Sequence, residues 1–294
     1  MDLLTTDEAA AYLRLKERKL YELVATGAIP CTKITGRWLF PRAALDRWIT
    51  SGLSWPAGMA PAEPPPIVGG SHDPLLEWAL RESRCGLAML AEGSEAGLAR
   101  FRNGEVVAAA MHLHAAEQPD SDANVAAVSG EIGMKDIVLI GFVRREQGLL
   151  VKPGNPLRLT SLADVVQKRA RMALRPPGAG AQLLLLTLLK QSGRALDDLV
   201  AATPPCPTGS DIAQAIQAGR ADCGIATRSV AVAAGLGFVP LLWERFDLLL
   251  RQRDYFRPPL QKLLRFVGSA AMAARAAEMH GYDLSGAGTV RFVP

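Results

Sequence analysis

The sequence predicts a mixed α/β protein in two unequal parts, and three observations carry that expectation. Residues 1–53 hold two helical patterns followed by a β-rich hairpin pattern and a third helix. Residues 54–66 are rich in Pro, Gly and Ala, have no apolar period and end in Pro64-Pro65-Pro66, the composition of a stiff connector. From 67 to 294, short apolar runs alternate with helical stretches, the arrangement of a doubly wound α/β domain. A chain of 294 residues, 49% hydrophobic and 21% charged, is long enough for one large core and one small one.

The head is built in order. Thr5-Thr6-Asp7-Glu8 matches a capping box, with Thr5 as the cap and Glu8 three positions on, and Ala9, Ala10 and Leu13 follow at helical spacing. A second helix spans Lys16 to Ala25, with Leu20, Leu23 and Val24 on one face and Gly27 as its stop. Two short helices joined by a tight turn make a helix-turn-helix. Two β-rich runs then flank Thr35-Gly36, a hairpin wing, and Pro41 opens a third helix over Arg42–Ile49.

This block, through Thr5–Leu13, Leu20-Tyr21, Gly27–Pro30 and Gly36–Pro41, resembles the excisionase and MerR-like winged helix-turn-helix family. The resemblance implies a double-stranded DNA partner. The second helix would present Lys16, Arg18, Lys19 and Tyr21, and the wing Lys33 and Arg37, to phosphates and base edges. Lys16 departs from the family, in which a serine often opens the second helix. Trp38, Phe40 and Trp48 are expected in the core rather than on the DNA face.

In the larger part, Ile67-Val68 opens a strand, and Gly69–Pro74 turns into a helix from Leu75 to Glu82 with Asp73 as cap and Pro74 at its first position. Strands follow at Gly86–Leu90 and Val106–Met111, with Glu92–Gly97 opening a helix between them. Val138–Val143 is strand-like, Arg144–Gly148 interrupts it, and Leu149–Val151 resumes. The strand Arg171–Arg175 leads through Pro176–Ala181 into a helix over Gln182–Lys190. Thr208–Asp211 opens another helix, before a strand at Ala221–Ala226. Gly-rich turns entering helices present unpaired N–H groups and the positive end of the helix dipole, where anions bind. Four such turns facing one cleft would hold an oxyanion.

This part is similar to the type II periplasmic-binding-protein-like domain of bacterial regulators, of the molybdate or tungstate group. The stretches that carry the similarity include Gly70–Leu76, Glu92-Gly93-Ser94, His112-Leu113-His114, Arg145–Val151, Pro153–Pro156, Gly178-Ala179-Gly180, Gly219–Asp222, Glu244–Leu248 and Gly281–Asp283. The similarity implies two lobes, 67–142 with 246–294 and 143–245, and a small oxyanion in the cleft, held by Ser71, His72, Ser94, Arg175, Gly178, Ala179, Gly180, Ala181, Thr208 and Ser210. Ala179 and Ala181 stand where related sequences often carry Ser or Thr, leaving backbone donors there. His112 and His114 alternate on a strand and are expected to face opposite sides.

The composition also excludes classes. The N-terminus lacks the basic region and long apolar run of a signal peptide, and the apolar runs near Leu183–Leu189 and Leu248–Leu250 are too short to span a bilayer. The scattered Cys31, Cys85, Cys206 and Cys223 fit a reducing compartment. No nucleophile elbow, phosphate loop or metal-ligand spacing is present. The expectation is therefore a cytoplasmic one-component transcriptional sensor with no enzyme activity, metal or cofactor, acting as a homodimer on DNA. The same architecture sensing an organic anion, or carrying a vestigial sensor, are the alternatives.

Overall fold

The structure, a computed structural model, describes residues 2–34, 36–51, 63–114, 122–129, 134 and 136–294. The chain divides into two compact units, Met1–Ala62 and Glu63–Pro294. Most of the proline-rich connector expected at 54–66 lies outside the described residues.

The first unit contains β1 (Leu3–Leu4), α1 (Thr6–Leu13), α2 (Glu17–Ala25), β2 (Thr32–Ile34), β3 (Arg37–Pro41) and α3 (Arg42–Ser51). The capping box is formed: the Thr5 side chain accepts from the Glu8 amide, and Glu8 returns the bond to the Thr5 amide at 2.8 Å. Lys16 takes the N-cap position of α2 and makes no side-chain cap bond. Gly27, at φ 65°, supplies the left-handed turn after α2. β2 and β3 form the hairpin, and β1, which the pattern did not announce, adds a third strand through Leu3↔Pro41 and Leu4↔Phe40. Ala9, Ala10, Leu20, Ile29, Phe40 and Leu45 make the core, with Trp38 and Trp48 packed against it.

The second unit opens with β4 (Ile67–Gly70), α4 (Pro74–Glu82), β5 (Ala88–Ala91), α5 (Ser94–Arg102), β6 (Ala108–Met111) and α6 (Ala123–Ser129). The chain then crosses on β7 (Ile137–Val151) into α7 (Leu162–Gln167), β8 (Arg171–Ala173), α8 (Gly180–Gln191), β9 (Val200–Ala202), α9 (Gly209–Gln217), β10 (Cys223–Thr227) and α10 (Arg228–Ala233). It returns on β11 (Gly237–Arg251) and closes with α11 (Gln252–Tyr255), α12 (Pro258–Val267), α13 (Ala270–Met279), β12 (Tyr282–Asp283) and β13 (Val290–Phe292).

The sheet path runs β5-β4-β6-β11-β7-β10-β8-β9. β4, β5 and β6 are mutually parallel at one end, and β10, β8 and β9 at the other. β7 and β11 pair antiparallel along 15 residues each and belong to both ends. The interruption expected at Arg144–Gly148 is absent, because this polar stretch stays in the ladder opposite Pro240–Arg245. Hydrophobic clusters lie on either side of it. Phe142, Val143 and Phe246 belong to the first lobe's core, Leu149 and Val151 to the second's. The polar residues therefore mark where both strands leave one lobe for the other. α5 lies directly on β4: a Cβ at Gly97 would come within 2.3 Å of the Gly70 Cα, so only glycine allows that approach.

Candidate functional site

At the crossing, Arg145 on β7 is 2% exposed and is bonded through all three side-chain nitrogens. Its Nε donates to Glu244 Oε1 at 2.6 Å, Nη1 to Asp73 Oδ2 at 2.8 Å and to the His72 carbonyl at 3.3 Å, and Nη2 reaches His112 Nδ1 at 2.8 Å. The guanidinium also lies 4.2 Å from the Phe246 ring centroid. Asp73 does double duty: Oδ1 caps α4 by accepting from the Leu75 and Leu76 amides, while Oδ2 takes Arg145 and, at 3.2 Å, the Tyr282 hydroxyl. Buried charges of this kind are tolerated only when each is paired and hydrogen-bonded. Burial alone would raise the Glu244 carboxyl, but the cations and donors beside it, Arg145 and His114, outweigh burial and hold it well below the usual carboxylate range.

An arginine has only donors, so His112 Nδ1 must accept and the proton sits on Nε2. Burial, then the nearby positive charges, keep this imidazole neutral, its pKa well below the usual value. Ser94 orients it through backbone bonds, its hydroxyl accepting from the His112 amide and donating to the His112 carbonyl, both at 3.1 Å.

Beside this network a cavity of about 30 Å³ is walled by both lobes. One water occupies roughly 10–15 Å³ on this scale, so the space suits a compact polyatomic group rather than a sugar or nucleotide. Ser71, His72 and His112 contribute from the first lobe, Arg145 and Gln147 from the crossing, and Arg175, Gly180, Ala181, Gly209 and Thr227 from the second lobe. Three buried polar atoms of lining residues have no hydrogen-bond partner: His112 Nε2, which lies 3.7 Å from Glu244 Oε1, Gln147 Oε1 and Arg175 Nε. Unmatched buried polar atoms are costly, and a ligand is the usual reason for them. Burial, then the charge of Arg145, push the Arg175 guanidinium down to about 10, so it remains a cation at neutral pH. The amides of Gly180 and Ala181 open α8 and lack intrahelical partners. Gly180 is required there, because a Cβ would meet His112 Nε2 at 2.1 Å.

Of the residues expected at the site, Ser71, His72, Arg175, Gly180 and Ala181 line the cavity. The His72 ring is drawn to Glu77 at 3.0 Å. The others serve it indirectly or lie elsewhere. Ser94 holds His112 instead of a ligand. Gly178 and Ala179 meet the second Gly-rich turn: the Gly178 carbonyl accepts from the Glu95 amide at 3.4 Å, and a Cβ at Gly93 would lie 3.2 Å from the Ala179 Cα. Thr208 spends its hydroxyl in a capping box with Asp211, and Ser210 is exposed on α9. Three of the four turns thus reach the cavity and the second packs on the third. Arg145, Gln147, Thr227 and Glu244 were missed. Arg145 and Gln147 stand in the polar stretch read as a break in an apolar strand, and with Glu244 they lie in stretches that carry the family similarity, while Thr227 had no signal of its own.

His112 and His114 do not face opposite sides, because β6 ends at Met111 and the alternation stops with it. Ligand atoms of His112, His114 and Glu244 fall within 4.8 Å of one another. The group does not suit a metal ion. Metal-bound imidazoles donate their second nitrogen to an acceptor, whereas His112 Nδ1 accepts from a guanidinium and its Nε2 is protonated.

In the first unit, Lys16, Arg18, Lys19, Tyr21, Lys33 and Arg37 are all exposed. Arg18 and Lys19 both flank Glu22, at 3.5 and 3.1 Å. Lys33 pairs across the hairpin with Trp38 and lies 5.2 Å from its ring, and Arg37 pairs with Ile34, so the two wing cations occupy opposite faces.

A two-lobed solute-binding fold with a cavity at its crossing strands, in a chain that begins with a helix-turn-helix, defines a DNA-binding regulator with a ligand-binding domain. The chain belongs to the PBP superfamily, whose domain profile matches residues 77–268, and a helix-turn-helix domain profile matches 3–52. It is 25% identical to the uncharacterized protein YvgK of Bacillus subtilis over 304 residues, covering 97% of this chain and 96% of that one. Among solved structures it resembles a phosphate ABC transporter substrate-binding protein with bound phosphate from Clostridium perfringens (TM-score 0.54, 12% identity, 73% of this chain and 97% of that one). It also resembles the tungstate ABC transporter protein from Geobacter sulfurreducens (TM-score 0.50, 14% identity, 72% and 97%). At such identities the likeness speaks for the fold. Among the described residues, no helix is long and apolar enough to cross a membrane.

Proposed function

We propose that the protein is a cytoplasmic one-component transcriptional regulator. Residues 1–53, of excisionase type, bind double-stranded DNA as part of a homodimer, and residues 67–294 sense a small oxyanion between the lobes. The carrying observation is the cavity itself: unpartnered Arg175 Nε and His112 Nε2–H, with the first amides of α8, are donors converging from both lobes. Donors from two lobes meet one ligand only in the closed arrangement, so binding favours closure, and closure is the signal passed to the DNA-binding heads.

Calorimetry and thermal shift with molybdate, tungstate, sulfate, phosphate and small carboxylates test this. An oxyanion at a hundred times its Kd is expected to stabilise the protein by about 2.7 kcal/mol and to change its affinity for operator DNA. Binding of a carboxylate in place of every oxyanion overturns the oxyanion assignment, and ligand binding without effect on DNA affinity overturns the regulatory one.

A further inference from the structure

Resting on the oxyanion reading, we propose that the site selects an oxyanion that keeps a proton at neutral pH, of the hydrogen phosphate or hydrogen arsenate kind. It selects against the fully deprotonated sulfate, molybdate and tungstate. Gln147 and Thr227 are the residues that make the choice.

Gln147 Nε2 donates to Glu244 Oε1 at 2.8 Å. Glu244 also takes Arg145 Nε on Oε1 and His114 Nε2 on Oε2, and its depressed pKa leaves it a carboxylate that can only accept. The Gln147 amide is therefore locked with its NH₂ toward Glu244, and Oε1 is an obligate acceptor. Gln147 is 2% exposed, lines the cavity, and its Oε1 has no partner.

A second acceptor is fixed next to it. The Tyr282 hydroxyl donates its proton to Asp73 Oδ2. Ser229 Oγ, 3.0 Å from the Tyr282 oxygen, must then donate to it. Thr227 Oγ1, 2.8 Å from Ser229 Oγ, must in turn donate to Ser229. The chain of protons ends on Asp73, and Thr227 Oγ1 is left with lone pairs only. Thr227 is the cross-strand partner of Gln147 and lines the same cavity. That part of the lining accepts, while Arg175, His112 Nε2–H and the α8 amides donate.

Charge leaves the choice to the proton, because hydrogen phosphate and sulfate are both dianions. Arg145 and Arg175 are balanced by Asp73 and Glu244, so the ionised groups around the cavity sum to zero with His112 neutral. Either dianion meets a site without net countercharge, but one with no proton also meets oxygen lone pairs from Gln147 and Thr227. An oxyanion bearing one O–H presents its proton to those oxygens and its remaining oxygens to the donors.

Phosphate and sulfate have nearly the same size and shape, so the pair isolates the proton. Calorimetry on the full-length protein at neutral pH is expected to give phosphate and arsenate at least tenfold tighter than sulfate, molybdate and tungstate. Gln147→Met, close in volume, should narrow that ratio about tenfold by weakening phosphate, with sulfate unchanged or improved, and Thr227→Val should act in the same direction. Sulfate, molybdate or tungstate binding as tightly as phosphate to the wild-type protein overturns the inference and leaves the oxyanion sensor standing. Failure of every oxyanion to bind removes both. If both variants unfold, the wild-type comparison decides alone.

Discussion

At the residue scale, Arg145 holds the crossing together. It pairs with both Asp73 and Glu244, which are buried, and fixes the tautomer of His112. Replacing it with Met leaves two carboxylates buried without their cation, and Arg145→Met is expected to cost about 3–5 kcal/mol in chemical denaturation. Titration follows from the same cluster. Folded His112 stays neutral where the unfolded chain binds a proton below its usual value of 6.5. The unfolded state then holds more protons, so this group makes stability fall as pH drops below about 6.5, by up to about 1.4 kcal/mol per pH unit. Glu244 adds to the loss further down, because its pKa is lowered from 4.5 and its stabilisation is present above that value and fades below it. Burial pushes the Asp247 carboxyl up to about 7, which acts in the opposite direction over the same range, so the His112 contribution is read as a difference: the melting temperature of the wild type relative to His112→Asn, followed from pH 8 to 4, is expected to be level above about 6.5 and to fall below it.

At the scale of elements, helix starts divide into those that are finished by their own side chains and those left open. α1, α4 and α9 are capped by Thr5, Asp73 and Thr208. α8 starts after Ala179 with no side-chain cap and borders the cavity, which is where an open helix start has a use. α2 also lacks a side-chain cap, at Lys16. Thr5→Ala is expected to destabilise α1 by about 1 kcal/mol, and Lys16→Ser to stabilise α2 by roughly 0.5–1 kcal/mol, read as opposite changes in amide hydrogen exchange of the two helices.

At the scale of the whole molecule, the prediction concerns how two copies meet DNA. One head offers Arg18 on α2 and Arg37 on the wing, too small a footprint for operator specificity, and a dimer on a palindrome multiplies affinity through effective concentration. Arg18→Ala with Arg37→Ala is expected to weaken binding across sequences and to reduce the slope of log affinity against log salt by about two per head. Sedimentation should show two chains per operator. An unchanged slope removes these contacts from the interface, and a monomer on DNA removes the dimer.

Most strands and helices up to Ala226, the caps at Thr5, Asp73 and Thr208 and the glycine-rich turns were legible in the sequence because each depends on residues within a few positions. A capping box spans three residues, and a turn needs only a glycine at positive φ. The continuity of β7 was not legible. A strand carrying Arg145 and Gln147 among buried apolar residues is stable only if partners exist, and these come from Asp73 and Glu244, 72 and 99 positions away. The same holds for the cavity between the lobes. Local pattern placed Arg175 and the α8 start near it, but the obligate acceptors appear only once Glu244 orients Gln147 and Asp73 draws the protons of Tyr282, Ser229 and Thr227 toward itself. Hydrogen-bond direction is set by the whole network, and the network exists only after folding brings its members together.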